Sequence, residues 1–317
     1  MDSPSASRII ERFRAPALDL ASSFGFGNST PISARLPSLR HLLLQHPGGA
    51  DTWAAASAVR AARLPIQLTR VTPDDTHWYT GELRAGLCMP VGTPEFVRSY
   101  MRAAGIAQPP WTCYPRELAR HMLQQPRRVM ASAAVAASKP IFVKPVGGRS
   151  FKGFVLRADR GEMDAQANAQ LDRLLQLPRT EPVWVARALE IVSEWRYYVL
   201  HGEVIGFARF FPLTEDDLPA PDIDDTSAVI AAIPHDAAYA IDFAVLQSDQ
   251  TTVTSVHDAW GLELIPFGPD RPADIDFLRL LWTRWSRLMR RALDPEGRGA
   301  SRQRILEAAQ DDRRTPV

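Results

Sequence analysis

The amino-acid sequence predicts a mixed α+β / α/β protein, with a small N-terminal α/β lobe ahead of a larger, strand-dominated α+β region. Three observations carry that expectation. A strand, helix, strand order begins at His41; strands dominate from Pro140 onward; and the last regular element is an amphipathic helix over Asp274–Leu293. At 317 residues the chain is long enough for about two domains and for a core that needs no disulfide or metal to hold it.

Residues 1–37 are rich in Ser, Ala, Pro and Gly and read as a flexible leader, with one short helix over Arg8–Arg14. The N-terminal lobe is expected over residues 38–138. His41-Leu42-Leu43-Leu44-Gln45 is a short buried strand, punctuated by Pro47-Gly48-Gly49. Asp51-Thr52 caps a helix through Arg63, and Ile66–Val71 alternates as a second strand. Pro94 and Pro115 each open a helix where a missing N–H costs nothing, and Gly105 stops the first. Residues 129–138 are small and apolar and connect into the second region.

That region is expected over residues 139–294, with a polar tail over 295–317. Ile141–Val143 and Phe154–Leu156 are short strands, Asp164–Leu177 is a helix, and Val183–Leu189 is a strand. Glu194–Leu200 and Glu203–Phe211 form a hairpin about His201-Gly202. An acidic, proline-bearing loop spans Pro212–Asp236, and a second hairpin joins Ala240–Leu246 to Thr251–Trp260. In the final helix Leu278, Leu281, Trp282, Trp285, Leu288 and Met289 fall on one stripe.

Composition removes several function classes. Lys+Arg 37 against Asp+Glu 36 leaves a net charge of +1, so no overall field favours nucleic acid or an anionic membrane. Cys88 and Cys113 lie far apart without metal-ligand spacing, which predicts a reducing compartment and no zinc site. No apolar run reaches 18 residues, so no membrane helix is expected. Acidic residues interrupt the N-terminal arginines and no apolar core follows, so no signal peptide is expected and the cytoplasm is the predicted location.

Neither a Walker A loop nor a dinucleotide glycine fingerprint occurs. Lys144, however, ends the strand Phe142-Val143-Lys144-Pro145, and Gly147-Gly148-Arg149-Ser150-Phe151-Lys152-Gly153 follows. Glycines let backbone N–H groups approach an anion, and two ammonium groups suit a polyphosphate; a surface hairpin with solvated lysines explains the segment equally well. Glu194, Arg196 and Tyr198 share one strand face. A two-residue turn at His201-Gly202 sets Glu194 opposite Arg209, so that Glu194, Arg196 and Arg209 share a face suited to phosphate or carboxylate. A cross-strand salt bridge on an exposed face is the plainer alternative. The third cluster is Asp242, Ser255, His257 and Asp258. A two-residue turn at Asp249-Gln250 sets Asp242 opposite His257, a longer turn shifts that register, and a structural, hydrogen-bonded His257 is as good an account of that residue.

The order of these motifs resembles the ATP-grasp superfamily over roughly residues 86–268, and within it the clade named for one arginine and two lysines. Phe151-Lys152-Gly153-Phe154 is a blurred version of that clade's Lys-x-Phe-x-Gly pattern, and His257-Asp258-Ala259-Trp260 stands for its Glu-x-Asn-Asp-x-Trp-type segment. The resemblance implies an ATP-grasp fold in which two α+β subdomains enclose an ATP cleft. It implies that Lys144 contacts the adenine edge and α-phosphate, and that Lys152 and Gly153 reach the β- and γ-phosphates. Val185 to Arg187 would lie at the adenine hinge, Glu190 at the ribose, and Arg196 at the transferred phosphoryl group. Magnesium would be held by Asp242, with His257 and Asp258 as further candidates, and Arg209 would grip the substrate carboxylate. The implied activity is Mg-ATP-dependent joining of a carboxylate to an amine through an acylphosphate. The partner is then a small-molecule or peptide acid with an amine acceptor, and neither nucleic acid nor membrane. Ser255 stands where the pattern has glutamate and His257 where it has asparagine, which keeps open an ATP-binding module without turnover, or a phosphotransferase.

Overall fold

The computed structural model describes residues 39–109, 113–146, 150–214, 217–233, 238–266, 268 and 270–293. The expected leader with its Arg8–Arg14 helix, the 295–317 tail and Gly147-Gly148-Arg149 lie outside the described residues.

The N-terminal lobe is a parallel sheet of order β2-β1-β3, formed by β1 (His41–Gln45), β2 (Gln67–Val71) and β3 (Cys88–Val91). Leu42, Leu43 and Leu44 are all buried, as a strand covered on both faces requires. Helix α1 (Ala50–Ala61) covers the sheet, and the short α2 (Thr80–Arg84) precedes β3. Helix α3 (Pro94–Ala103) begins as its sequence predicts: Thr93 Oγ1 accepts from the Phe96 N–H at 3.3 Å and Pro94 takes the first position. The helix expected at Pro115 is only a 3-10 turn over Arg116–His121.

Two antiparallel sheets follow. The smaller has order β4-β7-β5-β6, built from β4 (Arg127–Met130), β5 (Ile141–Pro145), β6 (Phe154–Leu156) and β7 (Pro182–Arg187). It packs its own core against α4 (Ala131–Val135) and α5 (Ala165–Leu175), the latter capped by Asp164 accepting from the Ala167 N–H at 2.7 Å. The segment read as a connector at 129–138 is therefore mostly strand β4 and helix α4. The larger sheet has order β11-β10-β8-β9, from β8 (Ile191–Leu200), β9 (Glu203–Phe211), β10 (Ala238–Leu246) and β11 (Thr251–Asp258). The loop expected at Pro212–Asp236 contains a helix, α6 (Ile223–Ala231), whose first N–H groups are capped by the Asp222 carboxylate.

The final helix α7 (Asp274–Leu293) sends its apolar stripe into the N-terminal lobe: Leu278, Leu281, Trp282, Trp285, Leu288 and Met289 share one core with α1, β1, β3 and α3. Trp285 Nε1 donates to the Cys88 carbonyl at 2.8 Å, which satisfies the one polar atom of that buried indole. The other face of the large sheet has a separate core around Tyr197, Phe207, Ile241 and Phe243. Among the described residues no helix is long and apolar enough to cross a membrane.

Hairpin registers decide which side chains meet. The β8–β9 turn is two residues long as expected, with Leu200 opposite Glu203 and positive φ at His201 (55°) and Gly202 (80°). A bulge at Tyr198/Val199 then shifts the strands, so Trp195, not Glu194, faces Arg209, and a second at Glu194/Trp195 sets Glu194 opposite Phe211. In the second hairpin Asp242 stands opposite Ser255, and His257 opposite Ala240.

Candidate active site

The two antiparallel sheets face each other across a cavity of about 570 Å³, within the range of roughly 300–1,000 Å³ usual for small-molecule sites. Alternation along β5 explains one wall: Phe142 and Lys144 line the cavity, while Ile141 and Val143 turn into the small core. Lys152 and Gly153 line the same wall from the loop before β6. A Cβ on Gly153 would come within 2.6 Å of the Phe142 ring, so only glycine lets this loop lie flat on the aromatic side chain. The Lys152 N–H donates to Gln170 Oε1 at 2.8 Å, which ties the loop to α5. Lys144 Nζ lies 5.7 Å from the Tyr114 ring centre, in cation–π range.

The opposite wall is a buried ionic network on β8, β10 and β11. Arg196 forks onto Asp242, with Nε to Oδ1 at 2.8 Å and Nη2 to Oδ2 at 3.0 Å. Ser255 Oγ donates to Asp242 Oδ2 at 2.8 Å, and His257 Nε2 lies 2.7 Å from the same oxygen. The same Nε2 lies 2.9 Å from Ser255 Oγ and 3.1 Å from Arg196 Nη2. Arg196 Nη1 donates to the Glu263 carbonyl at 3.3 Å, and the guanidinium lies 5.4 Å from the Phe210 ring centre. Burial would raise the Asp242 carboxyl, but the Arg196 fork overrides it and holds the group well below the usual carboxylate range. Burial pushes the His257 imidazole down against the pull of Asp242, so it is neutral at pH 7. Burial, reinforced by Asp242, pushes the Glu194 carboxyl up to about 7 although a Thr254 hydrogen bond, Lys144 and Arg196 oppose it. Burial also works against the Lys144 ammonium, but Cys113, Tyr114 and Asp242 outweigh it and the net shift is upward.

The structure thus brings together Lys144, Lys152, Gly153, Arg187, Arg196, Asp242 and His257 around one cavity. It does not bring four expected residues there. Val185 pairs with Val143 and packs into the core of the small sheet, so Ala186 takes the cavity-facing position. Glu190 is exposed, and its neighbours Leu189 and Ile191 line the cavity instead. Arg209 follows the bulge onto the face opposite Arg196 and donates to the Thr214 carbonyl. Asp258, one residue past His257, points the other way and accepts a bidentate pair from Arg284 of α7 at 2.5 Å each. Sequence reading also missed Glu95, Arg98 and Glu263, which line the same cavity. Arg98 lies over the Trp260 ring at 5.6 Å and 3.9 Å from Glu95 Oε1, and no local pattern announces it because α3 and Trp260 meet only in the folded chain.

A family model for the ATP-grasp domain, third family of the clade named for one arginine and two lysines, matches residues 86–285. The chain belongs to that family. The expected ATP-grasp fold and clade are both correct. No curated protein matches the sequence. Solved structures similar to this ATP-grasp chain include the D-cycloserine synthetase DcsG, at 15% identity and TM-score 0.47 over 79% of this chain and 100% of that one. A RimK domain ATP-grasp protein from Sphaerobacter thermophilus DSM 20745 has 15% identity and TM-score 0.44 over 77% and 98%. The D-alanine–D-alanine ligase of Bacillus anthracis, solved with ATP, has 10% identity and TM-score 0.44 over 87% and 100%. At those values the likenesses say nothing of this chain's substrate.

Proposed function

We propose that this ATP-grasp chain uses Mg-ATP to phosphorylate a substrate carboxylate and passes the acyl group to an amine, forming an amide and releasing ADP and phosphate. The observation that carries the reading is the convergence of Lys144 and Lys152 from one sheet and the Arg196–Asp242 pair from the other on a single cavity. Phe142, Val155, Ala186, Leu189 and Ile191 give that cavity an apolar side suited to a nucleobase. Lys144 and Lys152 would neutralise the polyphosphate, with Arg187 at the hinge. Arg196, already fixed by Asp242, would meet charge developing on the transferred phosphoryl oxygens without having to reorganise. Arg98, 3.9 Å from Glu95 Oε1, lines the same cavity as Glu263 and takes the place first expected of Arg209. A guanidinium suits the carboxylate of a substrate, and carboxylates in the same cavity suit an ammonium group.

Asp242, Glu194 and Glu263 supply oxygen donors, the type magnesium takes, and Asp258 is too far committed to Arg284 to join them. A magnesium ion held by Asp242 and Glu194 would offset charge on the phosphate oxygens. The test is ADP release from Mg-ATP with a panel of amino acids and amines, followed by detection of the amide. Amide formation supports ligation, whereas phosphorylated product without amide indicates phosphotransfer.

One observation favours a second reading, an ATP-binding module without turnover. Asp242 already has Arg196, Ser255 and His257 on its two oxygens, and Ser255 offers no second carboxylate. Ser255→Glu would set a like charge beside Asp242. Under the ligase reading it weakens the metal-free fold and tightens magnesium roughly tenfold, by one added charged ligand. Unchanged magnesium affinity in calorimetry would show that position 255 does not face the ion.

A further inference from the structure

Outside the cleft, three donor atoms of mixed type meet in the N-terminal lobe. His41 opens β1 and Cys88 opens β3, and the parallel register sets them side by side, so both side chains leave the sheet on one face. Glu82 of α2 reaches the same spot. Its Oε2 lies 2.7 Å from His41 Nδ1, and the Cys88 thiol donates to it at 2.9 Å. The Nδ1, Oε2 and Sγ atoms all lie within 4.8 Å of one another. A thiol–carboxylate hydrogen bond accounts for Cys88 but not for His41. Nδ1 is closed off from solvent and makes no hydrogen bond, even though a carboxylate oxygen is in reach, because that oxygen lies off the direction a ring N–H requires. A buried nitrogen left in that state is costly unless something stands between it and the carboxylate.

We propose that His41, Glu82 and Cys88 form a binding site for a divalent transition ion of the zinc class. Imidazole, carboxylate and thiolate together select a borderline-soft ion and not magnesium, which takes oxygen alone. Zinc bonds of about 2.0–2.3 Å at tetrahedral angles put nitrogen and oxygen donors about 3.4 Å apart. Glu82 must therefore retreat by about 0.7 Å, well within the freedom of its side chain. The fourth position is left to water, and the His41 and Glu82 side chains, 21% and 19% exposed, give the ion its path inward. As the metal–sulfur bond forms, the Cys88 thiol releases its proton to solvent. The ion would clasp β1, α2 and β3 directly ahead of α3, the helix that carries Glu95 and Arg98 to the cleft. Ligands at 41, 82 and 88 come from three separate elements, which is why the spacing of the cysteines alone predicts no zinc site.

The test uses the full chain, stripped with a chelator and kept reduced, without nucleotide. Titration with Co²⁺ is expected to give a thiolate-to-cobalt band in the near ultraviolet at one equivalent. That band persists in Cys113→Ser and disappears in Cys88→Ser. Competition with a chromogenic chelator is expected to show zinc affinity at least tenfold weaker in Glu82→Gln, which keeps the shape of the site should Cys88→Ser fail to fold. Absence of the band in the wild-type chain overturns the proposal by itself. So does a band that follows Cys113, or zinc affinity unchanged in Glu82→Gln. None of these outcomes depends on whether the cleft ligates anything.

Discussion

The two walls of the cleft carry charge in opposite ways. On the large sheet Arg196, Asp242, Ser255 and His257 are bonded to one another, the first three almost wholly buried, so their positions are set before any ligand arrives. On the small sheet Lys144 faces the cavity over a tyrosine ring, and Lys152 sits on a loop tied down by a backbone hydrogen bond. The first wall is a finished network, and the second presents two cations to the cavity. Fixed charges serve orientation and electrostatic stabilisation, whereas the lysines serve capture. Substitutions should therefore divide, with folding damage on one wall and binding damage on the other.

The largest effect is expected at Asp242. Asp242→Asn leaves the Arg196 charge buried without its carboxylate, which costs about 3–5 kcal/mol in denaturant unfolding and abolishes turnover. The double change Arg196→Met with Asp242→Leu should recover most of that stability while leaving activity at zero, because removing both charges also removes the cost of burying them. If the double variant is as unstable as the single one, the network is not the cause of the loss. Lys144→Ala comes next and should show the reverse pattern. Losing one charge-assisted contact weakens ATP binding roughly 10- to 100-fold while the unfolding curve moves much less. Unaltered ATP affinity would displace the nucleotide from this wall.

Glu194 lies between the two walls in behaviour, since it stands half-buried on the strand that carries Arg196 yet is pushed up to about 7. A carboxyl raised in the folded state contributes stability that is fully present below its ordinary value near 4.5 and is lost as pH rises through about 7. Glu194→Gln should flatten that decline. Magnesium needs the carboxylate form, so wild-type affinity in the presence of nucleotide should rise up to about tenfold between pH 6 and 8 beyond the rise in Glu194→Gln. Comparing the two chains at each pH cancels the titration of the nucleotide itself. Equal slopes would remove Glu194 from the metal site.

How much of this the sequence discloses varies with the range of the interaction. The order of strands and helices is readable from alternation, caps and turns; Asp274–Leu293 is found with both its bounds, and the His201-Gly202 turn is found because two residues there must take positive φ. What it hides is register beyond a bulge. Nothing local marks the inserted residues, Ile205 opposite Tyr198–Val199 and Phe210 opposite Glu194–Trp195, because a bulge answers to the sheet and not to its own strand. In the second hairpin the turn closes from Leu246 to Gln250, with Asp249 at φ 60°, and a bulge follows Asp242. Together they set Asp242 against Ser255 and not His257. The pairing of Arg98 with Trp260 and of Asp258 with Arg284 joins residues distant in the chain, beyond any periodicity.

The smallest effect is expected at Arg209, and its smallness is informative. An unbulged hairpin would set Arg209 beside Arg196, on the cavity face, where its loss should rival that of Lys144. The bulged register instead sends it to the other face, where it donates to the Thr214 carbonyl at a half-exposed position. Arg209→Ala should then change stability by no more than about 0.5 kcal/mol and leave ATP affinity and turnover within error. Arg98→Ala, measured beside it, should leave ATP affinity intact but raise the KM for the acid substrate, since Arg98 lines the cavity from α3, away from the two lysines of the small sheet. A large loss on Arg209→Ala with none on Arg98→Ala would return the substrate grip to β9 and show that the bulge at Tyr198/Val199 is not present in solution.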